Sequence, residues 1–129
     1  MTTWAPAGDV GESRLRSGIE AIESWKENVV YDGPRHLIVA DDASTLVGYT
    51  NRLIEAAGEG EKSFSKVRVL GRDERLGVGG SLNRGFAFAW RFGPLAAYFV
   101  DDWALRAPLD LTPWARLLLR ADQVGMVRL

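Results

Sequence analysis

The 129-residue chain has no cysteine, which excludes disulfides, thiolate metal sites and cysteine nucleophiles and leaves no thiol from which to read a redox compartment. Histidine occurs once, at His36, so no imidazole pair is available for a zinc site. Charge of one sign is also lacking: 16 Lys and Arg stand against 17 Asp and Glu, a net charge of -1. That balance argues against nucleic acid as a partner, because phosphate-backbone binding leaves a basic excess. No stretch approaches the roughly 18 consecutive apolar residues of a membrane span. Met1 to Gly11 shows no basic segment leading into an apolar one, so neither a span nor a secretion signal is encoded and a cytoplasmic setting is expected. Internal repeats and low-complexity segments are absent too. What is present is an ordinary folding composition, 47% hydrophobic and 26% charged, in a length that suits one domain.

Periodicity divides the chain into alternating helices and strands. Leu15, Ile19, Ile22 and Val29 fall at helical spacing, and Asp9 with Glu12 three residues on resembles a capping box, so a helix is predicted over about 10–28. The turn cluster Tyr31-Asp32-Gly33-Pro34 precedes His36-Leu37-Ile38-Val39-Ala40, a short apolar run of buried-strand type. A second helix is expected over 45–57, a strand over 66–70, and a helix behind Ser81 as cap through Trp90. Residues 97–101 read as another strand, Thr112-Pro113 as a helix start, and Met126 to Leu129 as the beginning of a last strand. The alternation predicts an α/β fold with a mainly parallel sheet.

In an open parallel sheet ligands collect at the carboxyl ends of the strands, and two predicted strands run directly into acid pairs, Asp41-Asp42 and Asp101-Asp102. Asp41 and Asp42 equally suit a turn before the next helix. Asp101 and Asp102 suit a solvated strand end, or a hard divalent cation bridging a diphosphate, which needs few protein oxygens. Gly77 to Gly80 lead into a helix and could present N–H groups to an anion, although the pattern matches neither a P-loop nor a dinucleotide fingerprint. Arg72 and Arg75 could neutralise phosphate or form a solvated turn of mixed charge. His36 is expected to pack. Trp103, next to the second acid pair, is expected to line a pocket, whereas Trp4, Trp25, Trp90 and Trp114 are spaced as core or interface anchors.

Three segments occur in a telling order: Val39-Ala40-Asp41-Asp42-Ala43-Ser44, then Leu76-Gly77-Val78-Gly79-Gly80-Ser81-Leu82-Asn83-Arg84-Gly85, then Tyr98-Phe99-Val100-Asp101-Asp102-Trp103. This order resembles family 2 glycosyltransferases over about residues 12–129. The resemblance implies a Rossmann-like GT-A three-layer sandwich holding the donor half of a metal-dependent enzyme. That enzyme moves a sugar from a UDP- or GDP-linked donor to an acceptor hydroxyl. It further implies donor-binding roles for Asp41, Asp42, Ser44, Gly79, Gly80, Asn83 and Asp101, with Asp42 near the nucleoside and Asn83 near the donor pocket. Asp102 becomes the ligand of Mn2+ or Mg2+.

Three departures qualify the resemblance. Val100 stands where the family's acidic element has its first carboxylate. Met1 to Gly11, with Pro6, Gly8 and Gly11, reads as an irregular segment in place of the family's first strand, which predicts a bare sheet edge beside Leu37 to Ala40 and an invitation to form a homo-oligomer. The resemblance leads to the expectation that the acceptor half is absent, so no catalytic base is nominated and the acceptor is unassigned. Two other readings compete. A receiver-like signalling domain shares the strand and acid pair at Leu37 to Asp42, yet it begins with that strand and requires a late lysine, and no lysine follows Lys66. A non-catalytic α/β remnant would keep the fold without the chemistry.

Overall fold

Thr2-Thr3, two β-branched residues suited to extended backbone, form strand β1 (Thr2–Thr3). Gly8 then turns the chain at φ 81° into helix α1 (Asp9–Asn28), whose Leu15, Gly18, Ile22 and Trp25 make one buried stripe. A short strand β2 (Val29–Val30) leads to β3 (His36–Asp41), α2 (Tyr49–Gly58) and β4 (Lys66–Leu70). Helix α3 (Gly77–Ala89), strand β5 (Leu109–Asp110) and helix α4 (Thr112–Arg120) follow. The computed structural model describes residues 1–58, 62, 64–121 and 126. Among these the fold is mixed α/β, a three-stranded parallel sheet in the order β1-β3-β4 with a two-stranded parallel ladder of β2 and β5.

β3 is the central strand, and its two faces are covered by different helices. Leu37 and Val39 enter a buried cluster with Leu15, Ile22 and Trp25 of α1 and Tyr49, Leu53 and Ala57 of α2. On the other face Ala40 meets α3, where a Cβ added to Gly85 would sit 3.5 Å from that of Ala40. Burial on both sides explains the unbroken apolar run of β3. No described helix is long and apolar enough to cross a membrane.

The N-terminal segment overturns the expectation of an irregular, strandless start. Thr2 pairs with Ala40 and Thr3 with Asp41, while the Met1 ammonium donates to the Ile38 carbonyl at 2.7 Å and Asp42 N donates to Thr3 O at 2.9 Å. The edge of β3 expected to be bare is therefore covered, and the argument for self-association through it falls. Residues 97–101 are corrected in the opposite direction, because they form no strand. Their side chains are engaged, with Tyr98 OH 3.0 Å from Thr2 Oγ1 and Phe99 5.2 Å from Trp25 between ring centroids. Their backbone makes no ladder with β1, which offers only two residues to pair with.

Helix starts shift for related reasons. No capping box forms, since Gly8 is the N-cap of α1 and Glu12 instead pairs with Arg52 at 3.1 Å. Helix α2 starts at Tyr49 instead of Thr45 because Thr45 Oγ1 accepts from Ala7 N at 2.9 Å and Ser44 Oγ from Ala5 N at 2.8 Å. These bonds tie the loop to the β1–α1 turn. α3 starts at Gly77, so Ser81 lies inside it and is not its cap. Leu111, not Thr112, is the N-cap of α4, with Pro113 in its first turn. The strand expected at Met126 to Leu129 lies, apart from Met126, outside the described residues.

Candidate functional site

The two acid pairs share one end of the sheet. Asp41 closes β3 opposite Thr3, and Thr3 Oγ1 donates to Asp101 Oδ2 at 2.7 Å, so a single threonine links the ends of β1 and β3 to the turn at Asp101. Thr3 Oγ1 also meets the Tyr49 hydroxyl. Because the threonine proton goes to Asp101, Tyr49 is the donor in that contact and must stay neutral. Its hydroxyl is pushed up to about 12, by burial first and then against the Thr3 bond by the nearby Asp101 and Asp41 charges.

The four carboxylates then diverge in use. Asp41 is buried and closes a local turn, accepting from Ser44 Oγ and, at 3.3 Å, from Ser44 N. Asp42, only 4% exposed, accepts from Leu76 N at 2.8 Å, Gly77 N at 2.9 Å and Ser81 Oγ at 2.8 Å, with Arg75 Nε at 3.7 Å. Burial pushes its carboxyl up, but the bonds from Leu76, Ser81 and Gly77 and the Arg75 charge outweigh it and hold the group below the ordinary carboxylate range. With its lone pairs engaged, Asp42 anchors the start of α3. A direct bond from Asp42 to a nucleoside would have to displace one of these donors.

Asp101 is half-buried, and burial pushes its carboxyl above the ordinary range; the Thr3 bond and Arg14 oppose this and Asp102 adds to it. Its ionised form is thus disfavoured on folding, so its contribution to stability is present at low pH and lost as pH rises through the folded value. Asp101→Asn keeps the acceptor for Thr3 and removes the charge. It is expected to melt higher than the parent at pH 7, with the gain shrinking toward about pH 4, where the unfolded carboxyl protonates. A lower melting temperature for the variant at pH 7 would contradict this account.

Asp102 is exposed and, with Trp103, lines a cavity of about 380 Å3 beside Ser17, Glu20 and Arg106. Among the described residues no three of His, Asp and Glu converge as a ready cation cage; a cation bridging a diphosphate needs only one or two protein carboxylates. Gly79 and Gly80 lie in the first turn of α3, the end that Asp42 anchors. Asn83 lies further along α3 and is exposed, so it is not gathered with the acid pairs by any described contact.

Sequence reasoning missed Trp4 as a member of this end of the sheet. The Arg75 guanidinium carbon lies 3.8 Å from its ring centroid, and Arg14 lies 5.7 Å away while donating to Trp4 O at 3.3 Å. No sequence signal marked it, because β1, which carries Trp4 to this end, has only two residues and is not legible as a strand. Arg72 is not a simply solvated turn residue, since its Nε and Nη1 are enclosed without partners. His36 packs edge-on to Phe92 at 5.3 Å, at a separate apolar cavity of about 520 Å3 bordered by Ile38, Phe86, Tyr98 and Trp114.

Comparison with protein-family models, with curated proteins and with solved structures finds no match to this chain.

Proposed function

We propose that this chain binds a nucleoside diphosphate sugar and serves as the donor-binding half of a metal-dependent glycosyltransferase, with its α/β fold a form of the Rossmann-like GT-A sandwich. One observation carries the reading: both acid pairs lie at the same carboxyl end of a parallel sheet, joined through Thr3, where ligands of such sheets bind. The resemblance in the order of the three motifs supports the same conclusion.

In the reaction so proposed, an acceptor hydroxyl attacks the anomeric carbon and gives up its proton to solvent, the bond from that carbon to the diphosphate oxygen breaks, and the diphosphate leaves with the bonding pair. Asp102, exposed beside Asp101, is the residue fitted to hold Mn2+ or Mg2+, which when bound supplies charge neutralisation at the departing diphosphate. Arg75 adds fixed positive charge at the same end. Asp42 contributes by fixing the glycine-rich start of α3. No residue of this chain is assigned to the acceptor or as general base, so donor binding is the function tested.

UDP or GDP together with Mn2+ is expected to raise the melting temperature more than nucleotide or metal alone. Saturation at about one hundred times the dissociation constant contributes roughly 2.7 kcal/mol. Asp102→Ala should remove the metal-dependent part. Asp32→Ala should not, because Asp32 pairs with Arg116 at 2.8 Å on an exposed surface away from the acid pairs. A shift from beryllofluoride with Mg2+ and none from nucleotide would replace this reading with a receiver-like one, and no shift from either in a folded sample would leave a non-catalytic module.

A further inference from the structure

The two faces of the sheet are packed unequally. Toward α1 and α2 the apolar side chains are fully enclosed. Toward α3 and α4 they are not. Leu82, Phe86 and Ala89 of α3, and Leu111, Ala115 and Leu118 at and along α4, recur at helical spacing, yet all six are only half-buried, and no residue of α4 is buried. Both stripes border the apolar cavity of about 520 Å3, which reaches Ile38 of the central strand. A void of this size left empty costs more than a domain of this length holds in net stability. Water is a poor filling, because it needs several polar partners and much of the polar wall is already engaged. The Tyr98 hydroxyl meets Thr2 Oγ1 at 3.0 Å, and Arg35 donates to Val29 O at 2.9 Å and to Lys62 O at 2.7 Å. His36 is the exception. Its ring borders the cavity beside Phe92, and its Nδ1 is enclosed with no hydrogen-bond partner among the described residues.

We propose that this cavity binds a compact, uncharged fused-ring molecule carrying a single hydroxyl, and that the hydroxyl pairs with His36 Nδ1. The inference is independent of the donor-binding reading, since none of Asp41, Asp42, Asp101 and Asp102 borders the cavity. Its volume falls within the few hundred cubic ångströms usual for a small-molecule pocket. The walls carry the rings of Phe86, Phe92, Tyr98 and Trp114, which take a flat guest by edge-to-face or offset contacts. A hydroxyl suits His36 in either tautomer, donating to a bare Nδ1 or accepting from a protonated one. A charged or phosphorylated ligand does not suit the site, because the guanidinium at its wall, that of Arg35, is already spent on backbone carbonyls. A second copy of the chain would have to insert side chains as far as the central strand to fill it.

The test uses 1-naphthol and naphthalene, which share a ring system and differ by the hydroxyl. His36 is the one histidine of the chain, so its imidazole nitrogen resonances are assigned without mutation. 1-Naphthol is expected to bind about two- to tenfold more tightly than naphthalene, the weight of one net hydrogen bond, and to shift the Nδ1 resonance, which naphthalene leaves nearly in place. His36→Phe keeps a ring against Phe92 and removes the nitrogen, so the two probes should bind it equally. Ala115→Phe and Ala89→Leu add side-chain volume from α4 and α3, and each is expected to weaken both probes by about tenfold or more. Two filling variants are used so that, if one melts early, the other decides. No binding of either probe to the folded parent, equal affinity of the parent for both, binding unchanged in a folded filling variant, or a preference for 1-naphthol that persists in His36→Phe would each overturn the proposal. So would a parent dimer that Ala115→Phe dissociates, since a second copy would then be what covers the cavity.

Discussion

Gly11→Ala is expected to destabilise the domain by about 3 kcal/mol or more, despite introducing the best helix former into a helix. A Cβ built on Gly11 would lie 1.7 Å from the Pro6 carbonyl oxygen and 2.9 Å from its carbon. Both are backbone atoms of the turn between β1 and α1, so no rotamer change relieves the overlap. Alanine's propensity advantage over glycine in a helix interior is only about 1 kcal/mol, whereas overpacking against backbone costs roughly 1–3 kcal/mol and more where the neighbour cannot yield. The clash decides the sign. Gly79→Ala supplies the contrast, because a Cβ there meets nothing within 4 Å, and it is expected to be neutral or to gain up to about 1 kcal/mol. Urea unfolding of the two variants measures the difference. A Gly11→Ala protein as stable as its parent would mean that Pro6 does not lie against α1.

The same turn shows where the sequence could be read and where it could not. Pro6, Gly8 and Gly11 count against a strand when read as strand residues. They instead build the tight connection that follows one, Gly8 by its φ of 81° and Gly11 by admitting the Pro6 carbonyl. The strand itself has two residues, too few for alternation to register. β3 and β4 were legible because five or six consecutive residues with strong strand character exceed any competing pattern. α1, with 20 residues and a continuous apolar stripe, was legible to within one residue of its start. Helix caps were not, since the hydroxyls of Thr45 and Ser81 bond to residues far along the chain. A local motif cannot declare such partners. Residues 97–101 carry the apolar pattern of a strand but pack through side chains alone.

The acid pairs were legible as a place and not as a set of roles. Either local reading of Asp41-Asp42, turn former or ligand holder, treats the two as equivalent. Asp41 does close a local turn with Ser44. Its neighbour caps a helix whose first residues lie 34 and 35 positions away. Adjacent residues of a strand end point to opposite faces, so two like residues meet different surroundings. Asp101 and Asp102 differ likewise, the first held by Thr3 and the second open.

Asp42→Ala is expected to cost about 3–5 kcal/mol, because it strips a buried carboxylate from two backbone amides and one buried hydroxyl at once. Hydrogen bonds to a charged group contribute about 1.5–3 kcal/mol each, and an enclosed donor left without a partner costs a further 1–3 kcal/mol. The three bonds share one acceptor and so do not sum independently. Ser81→Ala alone should cost about 1.5–3 kcal/mol in the parent and nothing, or a slight gain, in the Asp42→Ala background, since the hydroxyl at 2.8 Å has then lost its acceptor. The pH dependence follows from the sign of the shift. Asp42 titrates below its unfolded value, so its contribution is fully present above about pH 4, the unfolded carboxyl range, and is lost as pH falls through the lower folded value. The parent should therefore lose more stability between neutral pH and the acid limb than Asp42→Ala does. A variant within about 1 kcal/mol of the parent at pH 7, with an unchanged acid limb, would show that the α3 start is held by something else. Loss of nucleotide–metal stabilisation in Asp42→Ala, restored by neither higher metal nor higher nucleotide, would accord with a positioning role: the residue orders the Leu76–Gly77 amides and Arg75 around the ligand without itself needing a free lone pair for it.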